Sequence, residues 1–188
     1  MSYLLWLSLF LLGDGDLEEV AAGLESRSAA TRRVAVRALG ELGTLPAWER
    51  ILPHLSEEDG EVADEAQWQL ASVQDPDLCL GKWGLRSPDP WVRLRAAELF
   101  GRMSCHIEGS ALSRHLSRKD EERSAALVWS IERLARRGYL SGDLERCERD
   151  VARAVRFGGH VGAAALLCLE ALGGSKLEEE LARASRRS

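Results

Sequence analysis

The chain has 188 residues, enough for one domain with a sizeable core. Its 25 basic and 30 acidic side chains leave a net charge of −5, which argues against generic nucleic-acid binding. Leucine, alanine, arginine and glutamate dominate and aromatics make up only 6%, a balance that suits an all-helical protein.

Tyr3–Leu12 is nearly all apolar, yet too short to span a bilayer, which takes about 20 residues. Residues 1–13 admit two readings: the hydrophobic region of an export signal, or a cap helix lying on the first repeat. No Lys or Arg precedes the run, and Gly13-Asp14-Gly15-Asp16 is a poor cleavage site. A cap leaves the chain cytoplasmic; a signal or anchor makes it exported or membrane-associated. Residues 14–174 read as a repeat domain, and 175–188 as a charged C-terminal segment.

Leu17–Leu24 reads as a helix with Asp16 as its N-cap, and Thr31–Leu42 as its partner, ending before Gly43. Leu45–Leu55 follows, with Pro46 in its first turn and Pro53 weakening its end. Glu61–Val73 is the next inner helix. Gly81 and Gly84 break Leu78–Leu85 into an irregular or partly 3₁₀ segment. Asp89 caps a helix that opens on Pro90, and Val92, Ala96, Leu99, Phe100 and Met103 share one of its faces. Arg93, one turn beyond Asp89, reads as a local brace. Ile107–Leu116 and Glu121–Arg136 are the next pair, closed by Gly138. Ser141 or Asp143 caps a polar helix to Phe157, and Val161–Leu172 is apolar on most sides, ending at Gly173-Gly174. An exposed end unit should be polar outside, so the segment from Lys176 is expected to fold back over it unless something else covers it. The four cysteines, Cys79, Cys105, Cys147 and Cys168, show no C-x-x-C spacing and read as buried free thiols of a reducing compartment.

One pattern repeats. Leu24, Leu55, Leu85 and Leu116 each precede a turn, and Ala154 stands in that place after a longer gap. Eleven residues after these anchors come Ala35, Ala66, Ala96, Leu127 and Ala165; fifteen after come Leu39, Leu70, Phe100, Ile131 and Leu169. Seven after come Thr31, Val62, Val92, Arg123 and Val161. A period of this length marks a solenoid, in which each unit buries its apolar face against its neighbours.

The stretch DPWVRLRAAELFG (residues 89–101) resembles the HEAT-like repeats, especially the short variety named after phycobilisome lyases. TRRVAVRALGELG and EVADEAQWQLASV resemble it with losses, ERSAALVWSIERL keeps the hydrophobic pattern, and HVGAAALLCLEAL is weaker. The resemblance covers about residues 17–173. It implies an all-α, right-handed α-solenoid of about five HEAT-like (armadillo-like) helix pairs, with protein–protein interaction as the commonest activity. It carries no catalytic residues over.

The column thirteen residues after the anchors holds Arg37, Trp68, Glu98, Trp129 and Leu167, roughly opposite the core stripe on a helical wheel. Stacked inner helices would line a concave face with it, and tryptophan is enriched at binding hot spots. Arg37, Trp68, Glu98 and Trp129 are therefore the candidate partner-binding residues. Charge is uneven: residues 41–77 are strongly acidic and 82–156 net basic. The run Glu57-Glu58-Asp59-Gly60-Glu61 lacks the alternating spacing of a calcium loop, and the four histidines are scattered. No nucleophile elbow, phosphate loop or H-E-x-x-H occurs. The leading expectation is a non-enzymatic interaction or scaffold module with no cofactor, no metal and another protein as partner. Two alternatives follow from the resemblance: a lyase-type enzyme or subunit acting on a protein-bound chromophore, and a nucleic-acid-binding protein using the arginines between Arg133 and Arg156, among which acidic residues interleave.

Overall fold

A computed structural model describes residues 14–73, 75–174 and 176–185. The apolar run in residues 1–13, with both readings of it, lies outside the described residues. The chain is predominantly helical and divides into two compact units, the first ending at Val73 and the second starting at Gln74.

The first unit contains α1 (Asp14–Ala22), a 3₁₀ turn (Gly23–Glu25), α2 (Ala29–Leu42), α3 (Leu45–Ile51), a second 3₁₀ turn (Leu52–Ser56) and α4 (Gly60–Leu70). Helix α1 begins two residues before Asp16, which therefore belongs to its first turn and is not its cap. Ser28 caps α2 by accepting from the Thr31 N–H, and Gly43 ends it in the left-handed region at φ 64°. Thr44 caps α3, and the chain tightens to 3₁₀ geometry around Pro53 because proline cannot donate to the helical ladder. Asp59 caps α4, which stops at Leu70, short of Val73. Helices α2 and α4 pack side by side over Val36, Leu39, Val62, Ala66 and Leu70, all buried.

In the second unit, the segment expected to be irregular or 3₁₀ is a π-helix, Asp77–Gly84. Its wider coil closes with Leu85 N–H on Leu80 O at 2.7 Å and buries Cys79, Leu80 and Leu85 together. Helix α5 (Pro90–Phe100) carries Asp89 as its cap, and Val92, Ala96, Leu99, Phe100 and Met103 are all buried. Ile107–Leu116 is not one helix. Ile107–Glu108 (β1) pairs in parallel with Leu140–Ser141 (β2), leaving only Gly109–Ser113 as α6. The Ile107 N–H donates to Tyr139 O at 2.8 Å and the Ser141 hydroxyl donates to Ile107 O at 3.1 Å, so this backbone is committed to a neighbour. Helix α7 spans Glu121–Arg136 with Asp120 as cap. Asp143 caps α8 (Leu144–Val155), Ser141 being engaged at the bridge. Helix α9 (Gly159–Ala171) starts earlier than Val161, through Gly158 and Gly159 at positive φ. The segment after Lys176 forms α10 (Leu177–Ser185), which packs back onto α8 and α9. It is fastened by an Arg156–Glu180 ion pair of 3.1 Å and by the Lys176 N–H on the Glu148 carboxylate at 2.8 Å. Cys79, Cys147 and Cys168 are buried free thiols; Cys105, in the turn after α5, is half-exposed, so the buried reading fails there.

Equivalent positions use the same bonds in both units. The caps Ser28, Asp59, Asp89 and Asp120 each stand four residues after an anchor leucine. Arg32 donates to Ser26 O and Arg27 O and pairs with Glu57 at 3.1 Å. Arg93 donates to Ser87 O and Pro88 O and reaches Asp120 at 3.3 Å. Gly101 marks a close helix approach: a Cβ there would lie 3.1 Å from the Ser130 Cα, and Ser130 itself donates to Ala97 O at 2.7 Å. Ala96, next to Ala97 on the same helix, is fully buried. Ala96→Leu should destabilise the fold by about 1–3 kcal/mol through overpacking. Urea unfolding checks this, and a neutral result would contradict the packing described.

Candidate functional site

In the first unit, α2 contributes Arg33, Arg37 and Glu41, and α4 contributes Glu61, Asp64, Glu65, Trp68 and Gln69, to one open depression of about 700 Å³. Its anchor is Glu65, a buried carboxylate. Arg37 Nη2 reaches it at 2.6 Å, Arg33 Nε at 3.3 Å and Gln69 Nε2 at 2.9 Å. The hydrogen bond from Arg37 dominates and, with those from Gln69 and Arg33, outweighs the cost of burial. The Glu65 pKa accordingly falls to about 2. Arg33 also pairs with Glu61 at 2.8 Å. Both arginines are thus engaged by carboxylates, while Glu41 and Asp64 add further negative charge. Trp68 rises beside them with 76% of its surface exposed, one helical turn beyond Asp64. Carboxylates outnumber the arginines in this lining, and an indole beside such an excess attracts a cation.

In the second unit, Glu98 lies on α5 and Trp129 on α7, two helices that pack together. Trp129 is 46% exposed, and Glu98 pairs with Arg95 at 3.2 Å. Leu167 on α9 is likewise exposed. The structure brings Arg37 and Trp68 to one depression; Glu98 and Trp129 belong to the other unit. Sequence reasoning missed Trp91, exposed at the start of α5, and Val34, exposed on α2. Both fall outside the column thirteen residues after the anchors. It also missed Glu65, whose arginine partners come from another helix.

The acidic run after Ser56 is largely engaged in structure. Glu57 lies between Arg32 and His54, with 2.9 Å to His54 Nδ1; Asp59 accepts from the Glu61 and Val62 N–H groups; Glu61 holds Arg33. Many of the arginines from Arg133 to Arg156 also have carboxylate partners: Arg136 with Glu132, Arg149 with Glu145, Arg153 with Asp150, Arg156 with Glu180. Burial pushes the Cys147 thiol up to about 12 and the Cys168 thiol upward as well, so neither is a thiolate near neutral pH. Among the described residues no group of three or more His, Cys, Asp or Glu side chains is placed to hold a metal ion, and no helix is long and apolar enough to cross a membrane.

No family model matches the chain, and no curated protein matches it. Two solved structures to which it is similar are both engineered proteins. One is 19% identical, with 84% of this chain and 79% of that chain covered and a TM-score of 0.47; the other is 16% identical, with 92% and 97% covered and the same score.

Proposed function

We propose that this chain is a non-enzymatic protein–protein interaction or scaffold module. Its helix pairs form a right-handed α-solenoid of about five HEAT-like units, and the partner binds the inner-helix residues Arg37, Trp68, Glu98 and Trp129. The observation that carries this reading is Trp68, a large aromatic left mostly in solvent on a face whose charged neighbours are held in fixed positions. Leaving an indole exposed forgoes burial worth roughly 1.5–3 kcal/mol for a large apolar side chain. A partner that covers it recovers that term. Trp129, 46% exposed, offers a smaller indole surface in the second unit. The carboxylates around Trp68 favour a partner segment bearing lysine or arginine.

The reading is tested by measuring partner affinity for Trp68→Ala, Trp129→Ala and Asp64→Lys. Each tryptophan variant should lose at least tenfold in affinity, and Trp68→Ala should unfold like the parent chain. Asp64→Lys should weaken binding and flatten its salt dependence. Unchanged affinity in all three would remove this face from the binding surface.

A further inference from the structure

The second unit has a depression of about 680 Å³ on a different part of its surface, where the turn before α5 meets the turn before α7. Five cationic side chains line it, Arg86, Arg93, Arg114, Lys119 and Arg123, against a single carboxylate, Asp120. Arg93 and Arg123 share that carboxylate, each with its Nε at 3.3 Å. They are also tied to backbone: Arg93 to the Ser87 and Pro88 carbonyls, Arg123 to the Leu85 carbonyl at 3.2 Å and the His115 carbonyl at 3.3 Å. The buried Arg123 Nε lacks hydrogen-bond geometry to any partner. Among the described residues, Arg86, Arg114 and Lys119 make no ion pair; Arg114 Nε donates to Ser110 O and its terminal nitrogens are not engaged.

Such a gathering of like charge is repulsive unless something answers it. Its effect is visible on His115, which lines the same depression. Burial first, and then the charges of Arg123, Arg86 and Arg114, together lower the His115 pKa to about 4. The remaining chemistry in the depression is suited to an oxyanion. Guanidinium groups bind phosphate through parallel N–H donors. Asp120 and, in an adjoining depression that Arg86, Arg114 and His115 also line, Glu108 are outnumbered by these cations, and a phosphomonoester brings about −1.5 to −2 near neutral pH.

We propose that this depression is a binding site for a phosphomonoester group, with Arg86, Arg114 and Lys119 as its ligands and Arg93 and Arg123 as its fixed floor. The site does not depend on the tryptophan-bearing faces: it would remain if those faces bound nothing.

The experiment is a calorimetric titration of the whole chain with inorganic phosphate and, separately, with a short phosphoserine peptide, at constant ionic strength. Ring signals of His115 are followed by NMR alongside those of His160. Expected is saturable one-to-one binding that shifts His115 and leaves His160 in place. Arg86→Gln/Arg114→Gln should weaken it at least tenfold, and neither arginine carries a carboxylate partner whose loss would unsettle the fold. The single variant Arg86→Gln, on a side chain that makes no hydrogen bond or ion pair among the described residues, should weaken it in the same direction. Tighter binding of the peptide than of inorganic phosphate identifies a phosphorylated protein segment as the source. Equal binding identifies free phosphate esters. Either upholds the site. No heat and no His115 shift beyond that given by sodium chloride overturns it, as does a double variant that binds phosphate as well as the parent.

Discussion

Trp48→Ala will cost the fold about 3–5 kcal/mol, whereas Trp68→Ala in the same unit will change stability by no more than about 0.5–1 kcal/mol. The contrast follows from placement. Trp48 on α3 is 6% exposed, within a core that includes Ile51, Leu52 and Leu55. Removing it deletes the transfer energy of the ring and leaves a cavity that helices fixed by Thr44 and Pro53 cannot collapse into. Trp68 on α4 is 76% exposed and its truncation opens no cavity. Urea unfolding of both variants, with unchanged dependence on denaturant, reads the difference directly. A loss of several kcal/mol for Trp68→Ala would mean that its ring is packed and offers no anchor to a partner.

Acid will destabilise the two units in separate pH windows. In the second unit, folding holds His115 at about 4 against an ordinary 6.5. The unfolded chain therefore takes up a proton that the folded chain refuses. This contribution is fully present above about pH 6.5 and is lost as pH falls toward 4. In the first unit, Glu65 is held at about 2 against 4.5, as the folded state favours the charged carboxylate. Its contribution is present above about pH 4.5 and is lost as pH falls toward 2. Each unit of pKa is worth about 1.4 kcal/mol, and solvent screening of the half-exposed partners Arg33 and Arg37 reduces the Glu65 figure. About 1–3 kcal/mol is expected from each group. His115→Gln should flatten the stability profile between pH 6.5 and 4 and leave the lower window intact; Glu65→Gln should do the reverse, from a lower starting stability. A parent profile flat between pH 6.5 and 4, or a His115→Gln profile parallel to it, would contradict the burial of His115 among arginines.

Much of the fold was legible because its signals are local. Asp89 before Pro90 reads as a cap and is one; Ser28, Asp59 and Asp120, which stand at the same place after their anchor leucines and also cap helices, were not named from the sequence, though the same local signal could have found them. The apolar stripe of α5 was equally plain, since Val92, Ala96, Leu99 and Phe100 recur at helical spacing. What stayed hidden depends on distant partners. The pairing of Ile107-Glu108 with Leu140-Ser141 joins segments that carry no shared signal, so a helix was expected where the backbone bonds to another strand. The π-helix at Asp77–Gly84 differs from a 3₁₀ turn in which carbonyl is reached, and Gly81 and Gly84 signal irregularity without choosing between them.

The same division holds for the sites. The exposure of Trp68 and Trp129 was legible from register alone, as large side chains half a turn from the core stripe. Glu65 was not, because a glutamate on a helix looks solvated until α2 brings Arg33 and Arg37 onto it. The basic depression left one overlooked trace. Arg123 is the only charged residue in a column that otherwise reads Thr31, Val62, Val92 and Val161. A charge in an apolar column has to be answered from nearby, here by the carbonyls of Leu85 and His115 and by Asp120.

The central claim is that exposed tryptophans on the inner helices bind a protein partner. Its most direct test is quantitative affinity capture from native extract with the parent chain and the Trp68→Ala/Trp129→Ala variant side by side, at equal amounts of folded bait. The account predicts a partner that is retained by the parent and depleted at least tenfold with the variant, and that the purified partner binds through a lysine- or arginine-bearing segment. A partner retained equally by both baits would contradict it.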